Sequence, residues 1–258
     1  MDQNQKPDLD EDKPFLSHLL ELRSRLMRAV IAVLIAFLCI YPFYDRLFSF
    51  VSEPLRAVLP GGELMAIKVA SPFLIPMKLS LVAAIFIVIP YLLYQLWAFV
   101  APGLYRHERK LVWPLLISST LLFYLGAAFA YFLVLPLVYQ FFAGVTPLGV
   151  SYQPDISEYL DFVLTMLLVF GIAFEVPIAT LLLIRTGATT RQALAAKRPY
   201  VIVAAFALGM LLTPPDIISQ VMLAIPVWLL FELGLVLSRW YRNAADDQAE
   251  STPPLGKR

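Results

Sequence analysis

Long apolar segments dominate this sequence, and short stretches with charges, prolines and glycines separate them. Hydrophobic residues make up 60% of the 258 residues, whereas a soluble domain has an apolar share of roughly 45–50%. A helix that crosses the hydrocarbon core of a bilayer needs about 20 mostly apolar residues, so the segments predict membrane-spanning helices. Six spans are expected, at residues 26–48, 75–100, 112–142, 157–186, 199–213 and 217–238.

These spans predict an all-α, polytopic membrane protein with one six-helix domain over residues 15–241. Residues 1–14, which are acidic, and residues 242–258 are expected to be flexible tails. Prolines within the spans remove backbone hydrogen bonds and predict kinked helices. They are Pro90, Pro114, Pro136, Pro177 and Pro226.

The fifth span is unusually short. Its length of about 15 residues corresponds to roughly 22 Å, against about 30 Å for the hydrocarbon core. Either the bilayer is thinned or a water-filled recess is present there, or the span extends one turn beyond the predicted boundary.

Lysines and arginines are distributed very unevenly between the two sides of the predicted membrane. One side holds only Arg46, Arg56, Lys68 and Lys78, and the other holds the remaining 16 of the 20 basic residues. Because basic residues are enriched in cytoplasmic segments, both termini are predicted to be cytoplasmic.

Several classes of function are disfavoured by what the sequence contains. The net charge is +1 and the basic residues are scattered, so no nucleic-acid partner is expected. A single cysteine, Cys39, and only two histidines give no metal-binding pattern, and no Walker A, HExxH or GxSxG motif is found. We therefore expect no enzyme activity, no metal and no cofactor.

Glu21 precedes the first span on a polar helical stripe with His18, Arg25 and Arg28. Since Glu21 and Arg25 are four residues apart, they could form an ordinary surface pair contributing about 0.2–0.5 kcal/mol. Alternatively, Glu21 presents its carboxylate to a cationic ligand, because a carboxylate can accept two hydrogen bonds from one guanidinium.

Glu108 is the only acid in the loop sequence FVAPGLYRHERK, residues 99–110. It either balances the neighbouring basic residues or forms the second half of an arginine-binding site with Glu21. Phe99 could supply an apolar wall beside that site.

Glu175 lies in the fourth span about ten residues before Arg185, hence roughly 15 Å deep. Intramembrane carboxylates usually face a bundle interior or a watery cavity, which favours a functional role. The alternative is a protonated, hydrogen-bonded structural residue. Glu232 in the sixth span is interpreted as structural and could pair with Arg239.

Thr213, Asp216 and Gln220 lie at the outer end of the fifth and sixth spans, with Met210 one turn inside. Polar side chains there could bond to a partner helix, or they could simply be interfacial. From these residues alone, a proton-coupled secondary transporter that uses Glu175 as its relay is the leading interpretation. An intramembrane hydrolase is less favoured, because no nucleophile and base can be paired.

Six motifs in order along the chain identify a family resemblance. They are HLLELRSR (18–25), ASPF (70–73), YQLWAFVAPGLYRHERK (94–110), FEVP (174–177), KRPYV (197–201) and GMLLTPPD (209–216). With them the sequence resembles the TatC family of the twin-arginine protein translocase. The resemblance implies a concave, glove-shaped bundle in the bacterial cytoplasmic (inner) membrane, surrounded by lipids and able to self-associate.

The resemblance further implies a receptor for twin-arginine signal peptides that works with the single-span proteins TatA and TatB. Such a protein exports folded proteins with the proton-motive force. By motif position, Glu175 is the buried acid of the concave face. The other implied sites are the signal-peptide site of Glu21, Arg23, Arg25, Phe99 and Glu108, the partner contact of Met210, Thr213 and Gln220, and the periplasmic cap of Pro54, Ser71, Pro72 and Phe73.

Overall fold

A computed structural model describes residues 12–56, 64–100, 112–147, 154–212 and 217–238. Within these ranges the regular structure is helical, and one isolated parallel bridge joins Met65 to Asp155. The predicted all-α class is therefore confirmed. The helices are α1 (Asp12–Ile40), α2 (Tyr44–Arg56), α3 (Ser71–Val100), α4 (Val112–Phe129), α5 (Leu135–Val145), α6 (Ile156–Ala173), α7 (Val176–Arg185), α8 (Arg191–Ala196), α9 (Arg198–Leu212) and α10 (Ile217–Leu237).

Five helical stretches of the described chain are long and apolar enough to cross a membrane. They are His18–Arg56, Ser71–Phe99, Trp113–Val145, Ile156–Arg185 and Gln220–Leu237. A shorter apolar helix, Arg198–Met210, lies between the last two. Together they agree with the predicted count of six, and the short one is the span expected to be short. Of the predicted tails, residues 1–11 and 242–258 lie outside the described residues, and α1 already begins at Asp12.

Several spans contain breaks, and prolines lie next to them. A turn at Phe174 and Glu175 separates α6 from α7, and Pro177 follows in the first turn of α7. Residues Ala130–Val134 form a π-helical segment between α4 and α5, and Pro136 follows in the first turn of α5. Because proline has no amide hydrogen, it cannot continue the regular helical ladder, which accounts for breaks at these positions.

Pro90 lies inside α3 without a break, and the carbonyl it leaves unbonded has another donor. In a regular helix the amide of residue 90 would donate to the carbonyl of Phe86, four residues earlier. The hydroxyl of Tyr124 on α4 donates to that carbonyl instead, at 2.7 Å. This bond satisfies α3 at its proline and joins α3 to α4.

Close helix contacts hold the second half of the chain together. A Cβ atom added at Gly234 of α10 would lie 2.9 Å from Cβ of Thr180 and 3.0 Å from Cα of Pro177, both on α7. Only glycine allows this approach, as is common where helices pack in membranes. In the same way, α4 approaches α6 at Gly126, where an added Cβ would collide with the backbone of Phe170.

Buried side chains form two clusters at different levels of the bundle. The larger one joins α2, α3, α5 and α6 around residues such as Leu55, Leu79, Leu135 and Phe170. The smaller one lies towards the C-terminal end of α3 and includes Leu93, Trp97, Leu115, Phe123 and Ile178. The C-terminal end of α3 is therefore fixed from one side, while α1 packs along it on another.

Candidate functional site

Five side chains meet where the N-terminal half of α1 passes the C-terminal end of α3. We call His18, Glu21, Arg25, Gln95 and Phe99 the α1–α3 cluster. On α1 its members are three and four residues apart, and on α3 they are four apart, so each set lies on one helical face. The two helices run antiparallel here, because Arg25 contacts Gln95 and His18 contacts Phe99.

Arg25 connects the two helices through its guanidinium. Its Nε and Nη2 atoms donate to Oε1 of Glu21, at 2.9 and 2.7 Å. Its Nη1 atom donates to Oε1 of Gln95 at 3.1 Å. Arg25 is 20% exposed and Glu21 is 35% exposed, so the pair is only partly open to solvent. The arrangement is stronger than an isolated surface pair, because hydrogen bonds to ionised groups are strong and this guanidinium has two acceptors.

His18 and Phe99 form the aromatic side of the cluster. Their rings stack with centroids 4.2 Å apart and planes 17° from parallel. His18 Nδ1 lies 4.0 Å from Oε2 of Glu21, whereas both hydrogen bonds from Arg25 to Glu21 end on Oε1. The carboxylate of Glu21 therefore has one oxygen engaged by Arg25 and one facing the stacked rings.

The structure brings three of the predicted signal-peptide residues together and places Arg23 on a different side of α1. Glu21, Arg25 and Phe99 belong to the α1–α3 cluster. Arg23 is exposed and lies two residues from both Glu21 and Arg25, so it points to a different side of α1. Glu108 lies outside the described residues.

Gln95 is the member of the cluster that sequence reasoning missed. It is 6% exposed, and its amide oxygen accepts the hydrogen bond from Arg25. A signal was present in the sequence, because a glutamine in the apolar run of α3 needs a hydrogen-bonding partner. The sequence did not indicate which residue that partner is.

Glu175 lies at the turn before α7 and belongs to a second polar group. One of its carboxyl oxygens, Oε1, is buried without a hydrogen-bond partner among the described residues. The side chain of Ser119 on α4 is its polar neighbour, and Ser119 accepts a hydrogen bond of 3.2 Å from Nε1 of Trp97. Trp97, Ser119 and Glu175 form what we call the intramembrane group.

The two groups are joined by α3. Gln95 and Phe99 face α1, while Trp97, halfway between them in sequence, faces Ser119 on α4. The last turns of α3 therefore carry residues of the α1–α3 cluster on one side and of the intramembrane group on the other.

Two residues of the predicted partner contact, Met210 and Gln220, lie in different environments. Met210 on α9 is 67% exposed. Gln220 on α10 donates from Nε2 to the carbonyl of Phe206 on α9 at 2.8 Å, so its amide holds the two helices together. Thr213 lies outside the described residues.

Glu232 on α10 is paired, but with a residue other than the one expected. Arg198 at the start of α9 donates to both of its carboxylate oxygens, at 2.6 and 2.8 Å. The expected partner, Arg239, lies outside the described residues. The pair fixes α9 to α10 at the end opposite Gln220.

At the other end of α3, polar contacts join the segment 64–70 to α6. Ser71 is buried and its hydroxyl bonds to that of Ser157. Lys68 pairs with Glu158, at 2.6 Å, and this hydrogen bond raises the pKa of Lys68. Two further bonds, both of 2.8 Å, join Lys78 of α3 to Asp161.

The predicted cap residues occupy this end, with different exposures. Pro54 and Ser71 are buried, whereas Pro72 and Phe73 are exposed, Phe73 to 67%. Within the described ranges, His, Cys, Asp and Glu side chains form no group that could hold a metal ion.

The fold and these sites define a polytopic α-helical membrane protein with a guanidinium–carboxylate cluster at one end and a carboxyl group within a span. Comparison with known proteins narrows this class. The family model for Sec-independent protein translocase protein (TatC) matches residues 17–226. The chain belongs to the TatC family.

Individual relatives and a solved structure agree with the assignment to the TatC family. TatC of Haemophilus influenzae is 54% identical over 242 residues, which cover 93% of this chain and 94% of that protein. TatC of Escherichia coli K12 is 49% identical over 243 residues, 94% of each chain. A crystal structure of the twin-arginine translocase receptor TatC has a TM-score of 0.80 and 40% identity, and the match covers 86% of this chain and 98% of that one.

Family membership decides the broad function. TatC proteins are components of a protein translocase and not an enzyme family, so the predictions of a role in protein transport and of no enzyme activity are confirmed. As a member of the Tat system with several apolar helices, the chain is a multi-pass membrane protein.

Proposed function

We propose that this chain is the core receptor of the twin-arginine translocase, and that it binds twin-arginine signal peptides at the cytoplasmic face of the bacterial inner membrane. With single-span TatA- and TatB-like partners it exports folded proteins by using the proton-motive force. The family match and the similarity to the crystal structure of the twin-arginine translocase receptor TatC support the role. The excess of basic residues on one side supports cytoplasmic termini.

The observation that carries this proposal is the contact between Glu21 and Arg25. A guanidinium already donates two hydrogen bonds to the Glu21 carboxylate within the chain, at 2.9 and 2.7 Å. The geometry around Glu21 is therefore compatible with arginine recognition, and among the described residues Oε2 lies beside the stacked rings of His18 and Phe99.

Glu108 is proposed as the second acid, which receives the second arginine of the peptide. Arginine presents a planar fork of N–H groups, whereas lysine presents a compact charge that cannot bind a carboxylate in the same two-point manner. Two acids that each bind a guanidinium would therefore prefer a twin-arginine peptide to a twin-lysine peptide. Arg23 and Phe99 are proposed to contact the peptide around them.

Glu175 is proposed to keep a polar recess open in the membrane-spanning part of the protein. Its partly unsatisfied carboxyl group and the short helix α9, about 22 Å long, support this role. Polar groups at this depth and a span shorter than the hydrocarbon core both favour local water or thinning of the bilayer. Either would lower the barrier along a path for cargo.

The contact for single-span partners is proposed on α9 and α10, at Met210, Thr213 and Gln220. The exposure of Met210 supports an external apolar contact. Gln220 is expected to act from within, because its amide already bonds to the carbonyl of Phe206 and fixes the surface that α9 presents.

The test of the receptor role is peptide binding to the full chain in lipid nanodiscs. Glu21→Gln and Glu108→Gln each keep the shape of the side chain and remove its charge, and each is expected to abolish or strongly weaken binding of a fluorescent twin-arginine peptide. Glu53→Gln is the matched control, since Glu53 is an exposed acid on α2. Undiminished binding by both acid variants would overturn the proposal.

A further inference from the structure

We propose that a groove bounded by α2, α3, α4, the π-helical segment and α6 holds one acyl chain of a membrane phospholipid, and that Arg46 and Glu53 beside it select a zwitterionic head group. The ligand class is a glycerophospholipid that carries both a phosphate and a primary ammonium group, as phosphatidylethanolamine does. None of the lining residues belongs to the α1–α3 cluster or to the intramembrane group. The inference therefore adds a ligand to the protein beyond its role in translocation.

The groove has a volume of about 350 Å³ and is lined by aliphatic and aromatic side chains. Val51 of α2, Leu79 of α3 and Ala127 of α4 line its depth and are at most 8% exposed. Phe50 and Phe132 line it where it opens, and they are 59% and 73% exposed. The groove is therefore an open slot on the outside of the bundle, where lipid surrounds a membrane protein.

Two backbone carbonyls at the groove are satisfied from within the protein. Prolines four residues after Phe50 and Phe86 leave the carbonyls of these residues without their usual helical donors. The hydroxyls of Tyr131 and Tyr124 donate to them instead, at 2.6 and 2.7 Å. Because Phe50, Phe86 and Tyr131 all line the groove, its wall presents hydrocarbon while these polar atoms stay engaged. An extended peptide would leave its own backbone groups unpaired there, whereas an acyl chain has none.

The length of the groove matches one leaflet of a bilayer. On α3 it is lined between Leu79 and Ile87, a distance of about 12 Å along the helix. The hydrocarbon core is about 30 Å thick, so one leaflet contributes about 15 Å. A membrane-spanning helix passes through both leaflets, whereas an acyl chain lies within one. The dimension therefore favours an acyl chain over the helix of a single-span partner.

Helix α2 contributes two charged groups beside the groove. Arg46 lies four residues before Phe50 and Glu53 three residues after it, so the three share one side of the helix. Both charged side chains are exposed, and no salt bridge is found for either within the described ranges. Arg46 lies 6.0 Å from the ring centroid of Phe43, and Glu53 is close enough to Tyr131 to interact with it electrostatically. Arg46 belongs to the side predicted to be periplasmic, so the lipid belongs to the outer leaflet.

These two charges complement the two charges of an ethanolamine phospholipid. A guanidinium binds a phosphate through two parallel N–H donors, and a carboxylate accepts hydrogen bonds from a primary ammonium. Arg46 and Glu53 are seven residues apart, about 10 Å along α2, and their long side chains can converge on a phosphate and an ammonium that two carbons separate. Lipid tails surround the protein whatever their head group, so the pair of charges decides which lipid is retained.

Three phospholipids with identical acyl chains separate these contributions. Phosphatidylethanolamine satisfies both Arg46 and Glu53. Phosphatidylglycerol keeps the phosphate but brings no cation to Glu53, and the trimethylammonium group of phosphatidylcholine has no N–H to donate. Phosphatidylethanolamine is expected to bind about fivefold more tightly than either of the others, a factor that one exposed ion pair can supply.

The experiment is native mass spectrometry of the full chain in detergent, in which each lipid is titrated and the bound fraction gives its dissociation constant. Glu53→Gln is expected to bring the ratio of the phosphatidylethanolamine and phosphatidylglycerol constants close to one. Arg46→Gln is expected to weaken all three lipids by a similar factor, because all three carry a phosphate. Arg56→Gln is the matched control, since Arg56 is an exposed arginine of α2 that lies away from the side of Phe50. It is expected to change neither the affinities nor the ratio.

Ala83→Leu tests the groove independently of the charges. Ala83 lines the groove and is partly exposed, so a larger side chain there occupies space that the acyl chain needs. Binding of all three lipids is expected to fall while their ratios stay unchanged. If Ala83→Leu does not fold, Phe132→Ala at the exposed edge of the groove gives the same test by removing part of its wall.

Equal affinity of the unchanged protein for the three lipids, or a preference for phosphatidylethanolamine that survives Glu53→Gln, would overturn the inference. A photoreactive residue at position 132 that crosslinks in membranes to a single-span protein instead of to lipid would also overturn it, because the groove would then hold a helix. Arg46→Gln and Glu53→Gln are expected to leave twin-arginine peptide binding unchanged. Failure of the lipid site is therefore distinguishable from failure of the receptor role, which Glu21→Gln and Glu108→Gln test.

Discussion

The hydroxyl of Tyr131 donates a hydrogen bond of 2.6 Å to the backbone carbonyl of Phe50. That carbonyl lies four residues before Pro54, which is inside α2 and has no amide hydrogen to offer it. The rings of Tyr131 and Phe50 also stack, with centroids 4.7 Å apart. Tyr131 thereby satisfies the carbonyl freed by the proline and fixes α2 to the π-helical segment.

The bond predicts a clear effect on stability. Tyr131→Phe keeps the ring stack but leaves the Phe50 carbonyl without its donor, which is expected to cost about 1–3 kcal/mol in the free energy of unfolding. The measurement is denaturant unfolding of the purified protein in detergent. Tyr91→Phe, at a partly exposed tyrosine on α3, is the control and is expected to change stability by less than about 0.5 kcal/mol.

Replacing Pro54 tests whether this proline is the reason that the Phe50 carbonyl needs a hydrogen bond from Tyr131. Pro54→Ala restores an amide that can donate to the Phe50 carbonyl, so Tyr131→Phe should cost much less in that background. A double-mutant cycle measures this coupling. Equal costs of Tyr131→Phe in both backgrounds would show that the proline is not the reason for the bond.

Glu175 is predicted to matter for transport and not for peptide binding. Glu175→Leu removes the carboxyl from the intramembrane group. The rate of export of a twin-arginine reporter is expected to fall by about tenfold, which corresponds to an increase of about 1.4 kcal/mol in the activation free energy. Glu175→Gln keeps a polar group next to Ser119 and should retain more activity. Cells carrying each variant as their sole copy are assayed for reporter in the periplasm.

Binding of the twin-arginine peptide supplies the control for that experiment. Glu175 and the α1–α3 cluster occupy different sides of α3, so Glu175→Leu should leave peptide affinity within about twofold of the unchanged protein, a difference of about 0.4 kcal/mol. Full export by Glu175→Leu would refute the proposed polar recess.

Met210 is predicted to lie against a single-span partner. A cysteine at Met210 should form disulfide crosslinks with cysteines placed along the span of a TatA- or TatB-like protein. A cysteine at Leu208, which is 49% exposed but two residues away on another side of α9, is the comparison. Crosslinking that is equally strong at Leu208 would argue against a contact centred on Met210.

The features that were predictable from the sequence depend on residues close together in the chain. The apolar runs predicted the spans, and the four-residue spacing of Glu21 and Arg25 predicted that they could pair. In both cases the helix repeat itself determines which side chains are neighbours. The family motifs then added the wider function, which no local pattern contained.

The contacts that were not predicted join residues far apart in the chain. Arg25 and Gln95 are separated by 70 positions, and Tyr131 and Phe50 by 81. A glutamine in an apolar run, or a proline inside a helix, indicates that a partner is needed. Which residue supplies it depends on how the helices pack, and that information is spread over the whole sequence.

Glu232 illustrates the same difference between contacts that are local in the sequence and contacts that depend on helix packing. Arg239 was the expected partner because it lies two turns further along the same helical direction, whereas the structure pairs Glu232 with Arg198, 34 positions earlier. The pairing follows from the packing of α9 against α10. Local spacing indicated an arginine close by in the sequence, and within the described residues the partner comes from a neighbouring helix.

The most direct test of the receptor role is photo-crosslinking of a twin-arginine signal peptide to the full chain in its membrane. A photoreactive residue is placed at Leu22 beside Glu21, at His107 beside Glu108, and at the exposed Phe73 near the other end of α3 as the control. The proposal predicts strong crosslinks from positions 22 and 107, weak ones from 73, and a large reduction with a twin-lysine peptide. Equal crosslinking of the two peptides, or crosslinking as strong from position 73, would contradict it.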